Sequence, residues 1–172
     1  MKTIHYIFLV ILFIAGFLSG VQVPNFIDQY EKRIDAHYLE ANESFKGFQE
    51  IADRFHGGSM ESLIEKHEAS GDSTFNAEAT PLRKVFERKI RFEREHQALQ
   101  TSLFGKARHV AVAGDRETIQ ETWNNFSVGF PLNIPSVMSG LSIAGVLIIL
   151  LELLMFLFRR IFKIGRPEQQ PV

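Results

Sequence analysis

The sequence predicts an all-α membrane protein in which two transmembrane helices flank an antiparallel helical hairpin with short extra helices. Three observations carry this expectation. Apolar stretches of about 20 residues, each long enough for the ~30 Å hydrocarbon core, lie near the two ends of the chain. Between them apolar residues recur at helical spacing over two long runs. Finally, 32 of the 39 Lys, Arg, Asp and Glu residues fall between Pro24 and Pro135. The implied division is residues 1–24 for the first span, 25–133 for the extramembrane domain, 134–160 for the second span and 161–172 for a basic tail.

The first span, Ile4 to Val23, carries no formal charge with His5 neutral and is expected to end at Pro24. A cleaved signal peptide is the rival reading. Its basic region would be Lys2 alone, and no A-x-A-like site follows the apolar run, so an uncleaved anchor is expected. The second span, Val137 to Phe158, is followed at once by Arg159, Arg160, Lys163 and Arg166. Lys and Arg near span ends prefer the cytoplasm. Both termini are therefore placed there, with residues 25–133 on the far side, which in a Gram-negative bacterium is the periplasm.

Small residues suggest how the spans meet. Gly16 and Gly20 in the first span, and Ser136, Gly140 and Ala144 in the second, fall at i, i+4 steps and at matching depth under this topology. Such spacing permits close backbone approach, either between the two spans or between copies of the chain. Glu152 is the acidic residue within a span, about 10 Å from Arg159 along the helix. Buried in hydrocarbon, it should be protonated, paired or turned toward protein. The bland expectation is a reach toward Arg159 or Arg160; the functional ones are a partner contact or a proton relay.

In the extramembrane region, Ile27, Tyr30, Ile34, Tyr38, Ala41, Phe45, Phe48, Ala52 and Phe55 keep a 3/4 spacing, a coiled-coil-like seam stopped by His56-Gly57-Gly58. Ser59 is the expected N-cap of a short helix with Met60, Leu63, Ile64 and His67, ended by Gly71. Residues 72–78 read as a turn, and Thr80-Pro81 as the start of a second long helix. That helix carries Leu82, Val85, Phe92, His96, Leu99, Leu103, Ala107 and Val110 and ends at Gly114. Asp115 caps a last short helix on which Ile119, Trp123, Phe126 and Phe130 share a face. Trp123, Phe126 and Phe130 are thus candidate headgroup-level anchors, with packing against the hairpin an equal candidate. Residues 28–54 hold seven acidic and four basic groups and residues 83–94 six basic and two acidic, so the two arms should attract.

Composition excludes several chemistries. With no cysteine there is no disulfide, thiolate nucleophile or thiolate-ligated metal, and a net charge of −1 offers no basic face for nucleic acid. Asp53, His56 and His67 are candidate metal ligands, though no HExxH-type spacing supports them. Gly57-Gly58-Ser59 lacks the rest of a P-loop and reads as a turn. The basic run from Arg83 to Arg94 is broken by acidic residues and reads as a solvated or intramolecular face. Asn42-Glu43-Ser44 and Asn125-Phe126-Ser127 match glycosylation sequons, which matter only in a eukaryotic secretory setting. No catalytic residues and no cofactor are expected.

The segments Val23-Pro24-Asn25-Phe26-Ile27-Asp28-Gln29-Tyr30, Gly47-Phe48-Gln49 and Ala52-Asp53-Arg54-Phe55-His56-Gly57-Gly58 resemble a family of small bacterial inner-membrane proteins. Phe130-Pro131-Leu132-Asn133-Ile134-Pro135 and Ser139-Gly140-Leu141 are similar too. The family is grouped as a domain of unknown function, so the resemblance implies an inner-membrane setting and assigns no activity. Within it, the turn Asp53, Arg54, His56, Gly57, Gly58 is the candidate partner-binding element. The leading expectation is a non-enzymatic interaction or accessory subunit in the lipid bilayer, with a protein partner or a second copy. The alternatives are a subunit of an oligomeric transport or channel assembly using Glu152, and a periplasmic metal-dependent hydrolase.

Overall fold

A computed structural model describes residues 2–129 and 133–164, and among them the secondary structure is entirely helical. The elements are α1 (Lys2–Phe55), α2 (Met60–Glu68), α3 (Ser73–Ala98), α4 (Leu103–Val112), α5 (Arg116–Asn124) and α6 (Ile134–Ile164). The chain divides into two compact units. A span unit comprises Met1–Phe26 and Ser127–Val172, and a helical unit comprises Ile27–Phe126.

In the span unit, α6 and the first part of α1 are long and apolar enough to cross a membrane. The expected helix end at Pro24 is not there: α1 runs through Pro24 for 54 residues. Proline lacks the N–H that would bond the carbonyl of Gly20. The Ser139 hydroxyl of α6 donates to that carbonyl at 2.8 Å, so the acceptor freed by Pro24 is satisfied within the unit. Such closeness needs Gly20, because a Cβ there would stand 2.7 Å from Gly140 Cα. At its other end Asn133 starts α6, its side chain accepting the Ser136 N–H at 2.9 Å.

In the helical unit, α1 and α3 run antiparallel. Tyr30 meets Glu95, His37 stacks on Phe92 and Phe45 stacks on Phe86, so partner numbers fall along α3 as they rise along α1. The seam residues Ile27, Tyr30, Ile34, Ala41, Phe45 and Ala52 are buried. Phe45 and Ala52 join Met60, Leu63, Ile64 and Leu82 in one apolar cluster. Phe48 and Phe55 depart from the expected seam and face outward, because α2 and α3 fill the space against Phe45 and Ala52 instead. The α1 end has two left-handed glycines, Gly57 at φ +59° and Gly58 at φ +84°. The Gly58 N–H returns to the Ala52 carbonyl at 3.0 Å, a glycine-based C-cap.

The expected second long helix is two helices. It begins earlier than Pro81, with Asp72 capping Thr74 N at 2.7 Å, so residues 73–78 are helical rather than a turn. Pro81 lies on the exposed side of α3, where water can satisfy the carbonyl left without its N–H partner. The chain then breaks at Leu99–Thr101, and Ser102 restarts it by capping Gly105 N at 3.3 Å. Ser59 and Asp115 cap α2 and α5 as the sequence suggests, whereas α2 ends at Glu68, short of Gly71. On α5 the inward residues are Thr118 and Thr122, not the aromatic stripe: Trp123 is exposed and Phe126 half-buried.

Candidate functional site

Three places bear on function, two of them at sequence-expected positions. The first is the turn at the end of α1. Gln49 Nε2 donates to Asp53 Oδ1 at 2.8 Å and to the Gly58 carbonyl at 3.1 Å, which ties the glycine turn to the helix. His67 Nδ1 sits 2.9 Å from the Leu63 carbonyl, and its ring meets Phe75 edge-on. Asp53, His56 and His67 are thus not gathered, and among the described residues no group of three His, Asp or Glu side chains is placed to hold a metal ion. What the turn does display is apolar: Phe48, Ile51 and Phe55 are exposed along one side of α1, Phe55 by 75%.

The second is the interior of the span unit. A Cβ at Gly16 would meet Leu147 Cδ1 at 2.9 Å and Ala144 Cα at 3.0 Å, and one at Gly140 would meet the Phe17 ring at 2.8 Å. Ser136 and Ala144 are fully buried, and among the described residues the Ser136 hydroxyl has no hydrogen-bond partner. The structure therefore brings all five small residues into the interior between α1 and α6. Glu152 does not reach along α6 toward Arg160. Its Oε1 lies 3.0 Å from His5 Nε2 on α1, a partner 147 residues away in sequence. The side chain of Arg159 and the whole of Phe130 lie outside the described residues.

The third place was not visible in the sequence. Tyr30 of α1 is fully buried, and its hydroxyl donates to Glu95 Oε2 of α3 at 2.9 Å while accepting the Asp115 N–H at 2.9 Å. His109 Nε2 of α4 stands 3.0 Å from the same Glu95 oxygen. Asp115 receives Arg91 Nε at 3.0 Å, and Arg91 also reaches Glu117 at 2.6 Å. One hydroxyl and one carboxylate thus join four helices. Burial first, then the hydrogen bond and charge of Glu95, push the Tyr30 phenol well above its usual range. Seam periodicity marks Tyr30 as apolar core and Glu95 as surface, so only a period match between the two would have paired them.

Beside this hub a cleft of about 390 Å³ opens between α3 and α5, lined by His37, Lys84, Arg88, Arg91, Phe92 and Glu121 among others. Arg33 Nη1 and His37 Nε2 hold the two oxygens of Glu121 at 2.7 and 2.9 Å. The basic run of α3 is largely committed within the unit, Arg83 to Glu68 at 2.5 Å and Arg88 to Glu40 at 2.9 Å. His96 likewise meets Asp35 at 2.9 Å. Of the attraction expected between residues 28–54 and 83–94, Arg88–Glu40 joins the two arms directly, while Arg83 turns to α2 and Arg91 to Asp115 and Glu117.

The hydrogen bond from His37, reinforced by the charges of His37 and Arg33, holds the Glu121 carboxyl below its ordinary range. A depressed folded pKa means stability that is present above the unfolded value and lost as pH falls through the folded one. Glu121→Gln should therefore melt below the wild type at about pH 6, with the two melting temperatures converging toward about pH 3. Thermal circular dichroism of the full chain in mild detergent reads this, and a gap unchanged at the acid end would contradict it.

The profile of a family described as a protein of unknown function (DUF2937) matches residues 4–164. No curated protein and no solved structure matches the chain. The match runs from the first apolar helix through the helical unit to the last turn of α6. The chain belongs to this family of proteins of unknown function, DUF2937.

Proposed function

We propose that this protein is a non-enzymatic, two-pass inner-membrane protein of bacteria whose helical unit is an interaction arm. In this reading both termini are cytoplasmic and residues 25–133 periplasmic, following the basic flank of the second span. The observation that carries it is the apolar ridge of Phe48, Ile51 and Phe55 beside the Gly57–Gly58 turn. Exposed aromatic and branched side chains on a unit otherwise laced with ion pairs mark a surface that gains by being covered. The turn is also well held, through Gln49 and the Ala52 carbonyl, so the ridge is presented without much ordering cost on binding.

The experiment is site-specific photocrosslinking in living cells, with the photoreactive residue at Phe55 or His56, and at Glu43 as an exposed control on the same helix. The expected result is one defined protein adduct at Phe55 and His56, absent at Glu43 and lost when Phe48 and Ile51 are both replaced by Ser. Equal labelling at all three positions, or an adduct indifferent to the Ser replacements, would remove the ridge as a docking element.

A further inference from the structure

Helix α6 has a second face that the contact with α1 uses only at Glu152 among the described residues. Ser136, Gly140 and Ala144 face α1. Turned away from them are Ser142, Gly145, Ile149, Glu152 and Phe156, at successive spacings of 3, 4, 3 and 4. This is the seam spacing of packed helices. Ser142, Ile149 and Phe156 are exposed, and nothing stands within 4 Å of where a Gly145 Cβ would be, so another helix can approach its backbone there.

Glu152 sits in this seam with half its side chain uncovered. Among the described residues only His5 bonds it, through one of its two oxygens, and His5 itself is partly exposed. Lipid tails offer no donor for the remaining oxygen and no partner for the second imidazole nitrogen. Membrane helices bury such groups against protein.

We propose that the seam is a homodimer face, on which α6 packs in parallel against α6 of a second copy about a two-fold axis along the membrane normal. The occupant is a second copy because the exposed set is self-complementary. Among the described residues each chain presents one carboxylate oxygen and one imidazole nitrogen without a bond at the same depth, and a two-fold operation sets the oxygen of each beside the nitrogen of the other. Copies inserted with one topology are necessarily parallel, which aligns Gly145 with Gly145 and Glu152 with Glu152. A polar group within an apolar seam also fixes its register. The proposal uses a different face from the ridge on α1 and stands or falls separately from it.

The chain has no cysteine, so single introduced cysteines report this contact without background. The full chain carrying Ser142→Cys, Ile149→Cys or Phe156→Cys, reconstituted in phosphatidylethanolamine–phosphatidylglycerol vesicles, is oxidised and compared with Leu150→Cys and Leu154→Cys. Disulfide-linked dimer should form at least about tenfold faster at the three seam positions. Adding Glu152→Leu to the Ile149→Cys chain should cut dimer about threefold or more although it makes the helix more apolar, while Glu152→Gln should retain most of it. Crosslinking strongest at Leu150 or Leu154, crosslinking without period, monomer at every position, or dimer indifferent to Glu152→Leu would each overturn the proposal.

Discussion

Replacing Tyr30 by Phe should destabilise the helical unit by about 2–4 kcal/mol, although it removes a single oxygen atom. That hydroxyl both donates to Glu95 and accepts from the Asp115 N–H. Its loss leaves the backbone donor at the start of α5 without an acceptor and the buried Glu95 with His109 as its remaining partner. An unsatisfied buried donor costs about 1–3 kcal/mol, and the loss of one of the two bonds to the buried Glu95 carboxylate adds to it. Because the two bonds tie α1 to α3 and to α5, the expected consequence is also local. Amide exchange should rise in residues 115–124, where α5 begins on the orphaned donor, more than at the far end of the hairpin around Leu63 and Ile64. Urea unfolding of the full chain in mild detergent, followed by circular dichroism, measures the total. A loss under about 1 kcal/mol would mean that water takes the place of the hydroxyl, and the hub would then contribute no more than ordinary packing.

Gly20→Ala should weaken the span unit by about 1–3 kcal/mol, whereas Gly145→Ala leaves the pairing of α1 with α6 unchanged. Both are glycine-to-alanine changes in apolar helix, so their helix propensities cancel in the comparison. What differs is the space. A Cβ at position 20 meets the Gly140 backbone at 2.7 Å and the Ser139 carbonyl at 2.8 Å, neither of which can rotate away. A Cβ at Gly145 meets nothing within 4 Å. Parting the helices at Gly20 also lengthens the bond from the Ser139 hydroxyl to the carbonyl that Pro24 leaves free, so Ser139→Ala should reproduce part of the loss. The midpoint of unfolding on SDS titration in mixed micelles separates the three variants. Equal midpoints for Gly20→Ala and Gly145→Ala would show that the close approach at Gly20 contributes nothing to span pairing.

Much of the fold was legible because helices announce themselves locally. The 3/4 spacing from Ile27 to Ala52 reports which side of α1 is buried, and Ser59 and Asp115 report helix starts through side-chain chemistry that needs no tertiary partner. The failures share one cause. Pro24 and Pro81 read as helix boundaries since a proline removes a backbone bond, but whether the helix stops depends on who satisfies the freed carbonyl. At Pro24 the satisfying group is Ser139, 115 positions further along the chain, and no local window contains it. Phe48 and Phe55 fit the seam by spacing, yet face outward because α2 occupies the side of Phe45 and Ala52.

The candidate sites divide the same way. Gly16, Gly20, Ser136, Gly140 and Ala144 were visible as small residues at i, i+4 steps, and the structure gathers them between α1 and α6. Asp53, His56 and His67 were near in sequence but are not gathered, since the glycine turn and the Leu63 carbonyl direct their surroundings elsewhere. Glu95 was one more charge in a charged stretch until Tyr30 and His109 were placed against it.

By itself, then, the amino-acid sequence determined the all-helical class, the two helices long and apolar enough for a bilayer, the buried side of α1 and the caps of α2 and α5. These follow from hydrophobic period, span length and side-chain-to-backbone bonds a few residues apart. Only the tertiary structure decided that α1 runs unbroken through Pro24, that His5 of α1 meets Glu152, and that Tyr30 and Glu95 form the polar centre of the helical unit. Each of those outcomes rests on a hydrogen bond between groups 65 or more residues apart, whose partner is chosen by packing and not by neighbourhood in the chain.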